Sequence, residues 1–300
     1  MWLYLGIFSA VFLGLYDISR KQALHKNAVL PVLFFACLIE ALLLLPIVIL
    51  SPISPDFMAR LGLYIPRFDW LGHLYIFSKA IIVAALWLLS YFSMKHLPIS
   101  IVSPIGASGP AWTLVGAMLL FHERLTAIQW VAFGVLFVSY YIFSVAGSRE
   151  GIVFHTNKWV IFLFMAVLIG AASGLYDKYL VQTLGYSAVG VQVWFMLYMI
   201  PILGLPLLLL WWPNRARYTP FQWRWGIPLI GLFLAVADIA YFKAIACQGT
   251  LISLLAAVRS GGAVVAFLGG VFVFNENQIR HKAVAMAGVL AGIFLLFLSR

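Results

Sequence analysis

The chain has 300 residues, of which 64% are hydrophobic and only 9% charged, and it carries a net charge of +10. A soluble domain holds about 25% charged residues, so this chain cannot cover a water-facing surface, and its solvent must be lipid. The positive charge is then no sign of nucleic acid, because the basic residues sit mainly in loops beside apolar runs, where anionic headgroups are the simpler partner.

A membrane span needs about 20 apolar residues. Ten segments meet that need: Trp2–Tyr16, Ala28–Leu50, Leu74–Met94, Ile99–Phe121, Ala127–Ala146, Trp159–Leu180, Ala188–Trp212, Gly226–Cys247, Leu251–Phe274 and Ala283–Ser299. Their residues do not alternate polar and apolar, which excludes barrel strands. The first run lacks a basic n-region and a small-residue cleavage site, so it reads as helix one rather than a signal peptide. Trp2, Trp70, Trp130, Trp159, Trp211, Trp212 and Trp225 mark span ends as an interfacial belt. Gly288-x-x-x-Gly292 and Ala266-x-x-x-Gly270 offer small faces for helix contact, within the chain or in a homodimer. Cys37 and Cys247 lie apart inside spans and read as small apolar groups.

The chain repeats itself once. Gly14-Leu15-Tyr16-Asp17 returns as Gly174-Leu175-Tyr176-Asp177, followed in each copy by Gln22 and Leu24, then Gln182 and Leu184. Pro46 and Pro206 keep the offset. Tyr91-Phe92 answers to Tyr241-Phe242, Ser103 to Ser253, and Phe121-x-Glu123 to Phe274-x-Glu276. The polar stretch Gly147–Lys158 joins the copies. The expected fold is therefore all-α and integral to the membrane, with ten transmembrane helices as two five-helix repeats, residues 1–147 and 159–300. Five is odd, so the second copy enters from the opposite side and the repeats are inverted.

Charges within spans are expensive and mark partners or cavities. Asp238 and Arg259 lie deepest, with Lys243 five residues after Asp238. They read either as a substrate site shared by helices eight and nine, with Arg259 holding an anionic group, or as a structural ion pair. Asp17 and Asp177 read as gate residues or interfacial anchors, with Asp17 four residues before Lys21 as a supporting pair. Glu40 is a proton-coupling carboxylate or a hydrogen-bonded core group. Lys79 is expected to snorkel to the interface. Trp87, Tyr91, Trp112, Trp194, Tyr198 and Tyr241 would line an aromatic cavity or face lipid.

Enzyme signatures are missing. No His is followed five residues later by Asp, and there is no H-E-x-x-H, no P-loop and no Cys/His cluster with zinc spacing. No cofactor, metal or nucleic acid is expected.

Two five-helix halves, short loops and a fourth helix closing in Phe-x-Glu resemble the drug/metabolite transporter superfamily, in its EamA-like exporter branch. The resemblance implies a secondary carrier of small metabolites whose cavity lies between the halves. Carried onto this chain, it points to Tyr91, Ser103, Asp238, Tyr241, Lys243 and Arg259 as substrate-binding residues. It also finds a basic residue near the end of helix one in Arg20 or Lys21, and another in helix six in Lys178. Asp17, Glu40 and Asp177 remain as coupling or gating candidates. The resemblance places both termini in the cytoplasm, whereas the excess of loop Arg and Lys on the opposite side places them outside.

The expected protein is thus a multi-pass carrier in the inner membrane. It would export a small polar or amphipathic metabolite by alternating access, with protons as the coupling ion, as a monomer or homodimer. The alternatives are a flippase for lipid or lipid-linked headgroups, and a non-transporting membrane enzyme or accessory subunit.

Overall fold

In a hydrocarbon solvent the backbone must satisfy its own hydrogen bonds, and an apolar run does so by coiling into a helix. The computed structural model describes residues 1–97, 105–106, 108–145, 157–215, 219–266 and 279–299. The membrane helices are α1 (Trp2–Leu24), α2 (Val29–Ile53), α3 (Trp70–His96), α4 (Gly109–Phe121), α5 (Ala127–Val145), α6 (Lys158–Lys178), α7 (Ala188–Pro206), α8 (Gly226–Ala246), α9 (Ile252–Ser260, apolar and helical on to Ala266) and α10 (Ile279–Leu298). Among the described residues, six of these are long and apolar enough to cross a membrane, and the four shorter ones are also apolar. A short helix, Pro55–Arg60, fills the connection between α2 and α3.

Local chemistry sets the helix ends. Asp69, Asn157 and Ser187 each accept a hydrogen bond from a backbone N–H in the first turn of α3, α6 and α7. His122 ends α4 in the left-handed conformation at φ 52°. Two helices run on as π-turns, α6 through Tyr179–Thr183 and α7 through Leu207–Trp211. The second follows Pro206, which has no N–H to continue the regular ladder.

The most extensive helix contacts all join the first five helices to the last five. α1 packs on α8 as α3 packs on α6. α2 meets α8 as α3 meets α7, and α1 meets α9 as α4 meets α6. The remaining pairs, α2 with α7, α4 with α9 and α5 with α10, map onto themselves. Exchanging the two halves therefore leaves the set of contacts unchanged. The largest apolar cluster draws buried side chains from α2, α3, α7, α8 and α9 together, so among the described residues the halves share one core.

Close crossings rest on residues without side chains. A Cβ on Gly14 of α1 would stand 2.4 Å from Val265 Cβ and 2.6 Å from the Gly262 carbonyl oxygen of α9. Likewise a Cβ on Gly231 of α8 would stand 2.6 Å from the Ala36 carbonyl oxygen and 3.0 Å from the Glu40 nitrogen of α2. Gly288 and Gly292 of α10 lie against Ser139 and Leu136 of α5, so this small-residue face is used inside the chain. Gly270 lies outside the described residues.

Overpacking such a contact costs roughly 1–3 kcal/mol. Gly14→Leu should lower thermal stability in detergent by that amount. Gly134→Ala, whose Cβ meets nothing within 4 Å, should melt no lower than the parent protein. Equal melting of the two variants would mean that α1 and α9 do not touch at Gly14.

Candidate functional site

The charged residues that the sequence scatters over six spans gather between the halves. Arg259 leaves α9 at its last regular turn. Its Nη2 donates to Asp238 Oδ1 of α8 at 2.7 Å, and its Nε donates to Ser9 Oγ of α1 at 3.0 Å. Ser9 in turn donates to the Ala237 carbonyl oxygen at 2.7 Å. The guanidinium lies over the Tyr241 ring, 3.9 Å from its centroid, a cation–π contact. The Tyr241 hydroxyl donates to Asp177 Oδ2 of α6 at 3.2 Å, and the other oxygen of Asp177 pairs with the Lys79 ammonium of α3. A continuous polar line thus runs Ser9–Arg259–Tyr241–Asp177–Lys79 through the bundle, with Asp238 on its flank.

A second group lies further along α1. Arg20 pairs with Asp17 at 2.7 Å and donates to the Tyr16 hydroxyl at 3.3 Å. Tyr16 and Tyr91 share a hydrogen bond between their hydroxyls at 3.1 Å, and the guanidinium lies about equally near both rings. Each Gly-Leu-Tyr-Asp copy therefore meets the Tyr-Phe copy of its own half, Tyr16 with Tyr91 and Asp177 with Tyr241. The Asp17 side chain keeps 37% of its surface exposed, so this group can be reached.

Two expectations are corrected. Lys79 does not snorkel: it is buried, it pairs with Asp177, and it lies over the rings of Phe195 and Phe242. Nine residues into α3 it is too deep for its stem to reach a headgroup. Asp17 pairs with Arg20, since a residue three positions on shares its helix face as well as one four positions on. Lys243 does not join Arg259 and Asp238. Five residues is about 500° of helix, so Lys243 leaves on a different face from Asp238, and its ammonium lies near Gly62 in the connection before α3.

The aromatic residues divide as well. Tyr91 and Tyr241 are buried among the charges. Trp194 and Tyr198 each meet His73 edge to face, and His73 Nδ1 is 2.8 Å from the Tyr198 hydroxyl. Trp112 is exposed. Ser103 and the Phe274-x-Glu276 motif lie outside the described residues.

Sequence reasoning missed a third cluster. Glu123 accepts from Lys178 Nζ at 2.7 Å and from the Ile252 N–H at 2.8 Å, and its other oxygen takes the Ser253 hydroxyl at 2.5 Å. It caps the first turn of α9, where free N–H groups attract an anion. Glu123 and Ser253 both belong to repeated motifs, which was a signal of their role. Ser9 left no such signal, being one hydroxyl in an apolar run.

Burial ranks the pairs. The side chains of Lys79 and Asp177 keep 3% and 5% of their surface, against 20% for Arg259. Removing one partner of a buried pair strands the other and costs roughly 3–5 kcal/mol. Lys79→Met should therefore lower the melting temperature in detergent more than Arg259→Met does, and adding Asp177→Asn should recover most of the loss. A Lys79→Met protein as stable as the parent would refute the pairing.

Comparison with known proteins agrees with this architecture. No curated protein matches the chain. A solved structure described only as a crystal structure of a protein superposes with a TM-score of 0.72 at 14% identity, covering 100% of this chain and 99% of its own. That likeness concerns the fold. Residues 1–145 match the model of the EamA-like transporter family. The chain is a multi-pass membrane protein of the drug/metabolite transporter superfamily, its first 145 residues matching the EamA-like transporter family.

Proposed function

We propose that the chain is a secondary carrier that exports a small polar or amphipathic metabolite across the inner membrane by alternating access between two inverted five-helix repeats, residues 1–147 and 159–300. The observation that carries this reading is the exchange symmetry of the helix contacts. A packing that maps onto itself when the halves are swapped can be driven to a second arrangement in which the halves trade roles. The buried charges lie on the surfaces where the halves meet, which is where a carrier needs its substrate.

In this reading Arg259 binds an anionic group of the substrate. Its guanidinium is the more accessible member of its pair, and Tyr241 supports one face of it. Asp238 holds the guanidinium when substrate is absent. Asp17 and Asp177, one in each half, act as gates at matching positions. Lys243 has no part in the site, because it faces the connection near Gly62. The carrier works on a small molecule within the lipid bilayer and acts as a monomer or homodimer.

Comparing the metabolites exported by cells with and without the protein identifies the substrate. In proteoliposomes carrying that metabolite, Arg259→Ala should abolish transport while the protein stays folded. Unchanged transport would remove Arg259 from the site, and an unfolded variant would reassign its pair to structure.

A further inference from the structure

A count of charges in the bundle leaves one group over. Four cations inside the described bundle each meet an acid: Arg20 with Asp17, Lys79 with Asp177, Lys178 with Glu123, and Arg259 with Asp238. Glu40 is the fifth acid of this set. It lies in the middle of α2 with no exposed surface, and neither carboxylate oxygen meets a hydrogen-bond donor. Gln192 of α7 is also fully buried, and its Oε1 meets no donor. Its amide nitrogen is already directed to the Ala235 carbonyl oxygen of α8, at 3.4 Å.

Among the described residues, the surroundings of Glu40 add no cation. From α8 the group acting on it is Asp238, from α7 it is Gln192, and on its own helix it is the Cys37 thiol. Arg259 of α9 and Lys79 of α3 act on Asp238 instead. Two carboxyl groups thus share a region in which one guanidinium neutralises one of them. The Gly231 crossing holds the Glu40 backbone against α8, so Glu40 cannot swing out to water without parting the two helices.

Buried acceptors without a donor are costly, and an uncompensated buried charge costs more; Gln192 stands within hydrogen-bonding reach of the Glu40 carboxyl. A single proton removes both faults. A protonated carboxyl gains one O–H donor, and Gln192 Oε1 is the acceptor without a partner. We propose that Glu40 and Gln192 form a proton-binding site that is occupied in this conformation, the Glu40 hydroxyl donating to Gln192 Oε1. Resting on the transport reading above, this proton is the ion that the carrier exchanges for its substrate. Release passes the proton to water and leaves a carboxylate, which the closed bundle does not accommodate. Release therefore requires the contact between α2 and α8 to open, which ties proton transfer to the movement of the halves.

The test is infrared spectroscopy of the purified protein in lipid vesicles at neutral pH, with no substrate present. The spectrum should contain the carbonyl band of a protonated carboxyl. Selective 13C labelling of glutamate should shift it, and labelling of aspartate should not. The chain has only four glutamates, Glu40, Glu123, Glu150 and Glu276, so the label narrows the assignment before any residue is changed. Glu40→Gln copies the shape and charge of the protonated acid. It should abolish the band and leave thermal stability unchanged. Gln192→Leu removes the acceptor and should move the band to the position of a carboxyl without a hydrogen bond. A missing band, a band that answers to labelled aspartate, or one that survives Glu40→Gln would overturn the site. A band unmoved by Gln192→Leu would overturn the pairing. No outcome depends on transport, so failure of the carrier reading would leave the proton site standing, and the reverse holds equally.

Discussion

A charge placed in hydrocarbon must be neutralised by another group of the same protein, and this constraint decides how the helices are arranged. Two of the neutralising contacts cross from one half to the other: Lys79 with Asp177, and Glu123 with Lys178. Arg259 of the second half also reaches Ser9 of the first. The ion pairs therefore do more than tolerate burial. Lipid tails are as apolar as leucine and give helices little reason to associate, so polar contacts and close glycine crossings select which helix lies beside which. The halves cannot drift apart without stranding a charge.

The same constraint explains why two repeats in the sequence do not become two bodies in space. The largest apolar cluster is shared by helices of both halves, and the extensive contacts run between halves rather than within them. A repeat here is a unit of topology. It has five helices, and among the described residues it shares its interior with its partner.

The architecture was legible in composition and in the repeat, because hydropathy needs only the chain and the offset of 160 residues needs only comparison of the chain with itself. The contact of Asp238 with Arg259 was legible too, since both are deep and carry opposite charge. What could not be read was the direction in which a side chain leaves its helix. Lys79 and Lys243 look alike in sequence, each a lysine within an apolar run. One is locked onto Asp177 and the other faces a connection near Gly62. The difference is an angle about a helix axis, and that angle is set by neighbours far away in the chain. Glu123 was read as a marker of a helix end, when its chemistry belongs to the start of α9. Gln192 gave no signal at all, because its partner lies on another helix.

The crossing of Gly14 with Gly262 has a mechanical consequence. The two backbones are so close that not even a methyl group fits between them. One turn from that crossing on one side lies Arg259 with Ser9, and one turn away on the other lies Asp17 with Arg20. A point that can neither widen nor slide easily is a fulcrum. If α1 and α9 tilt about it, the arms on its two sides swing in opposite senses, so the two helices close on one side as they part on the other. Such a seesaw would keep both ends from opening at once without needing a separate lock on either.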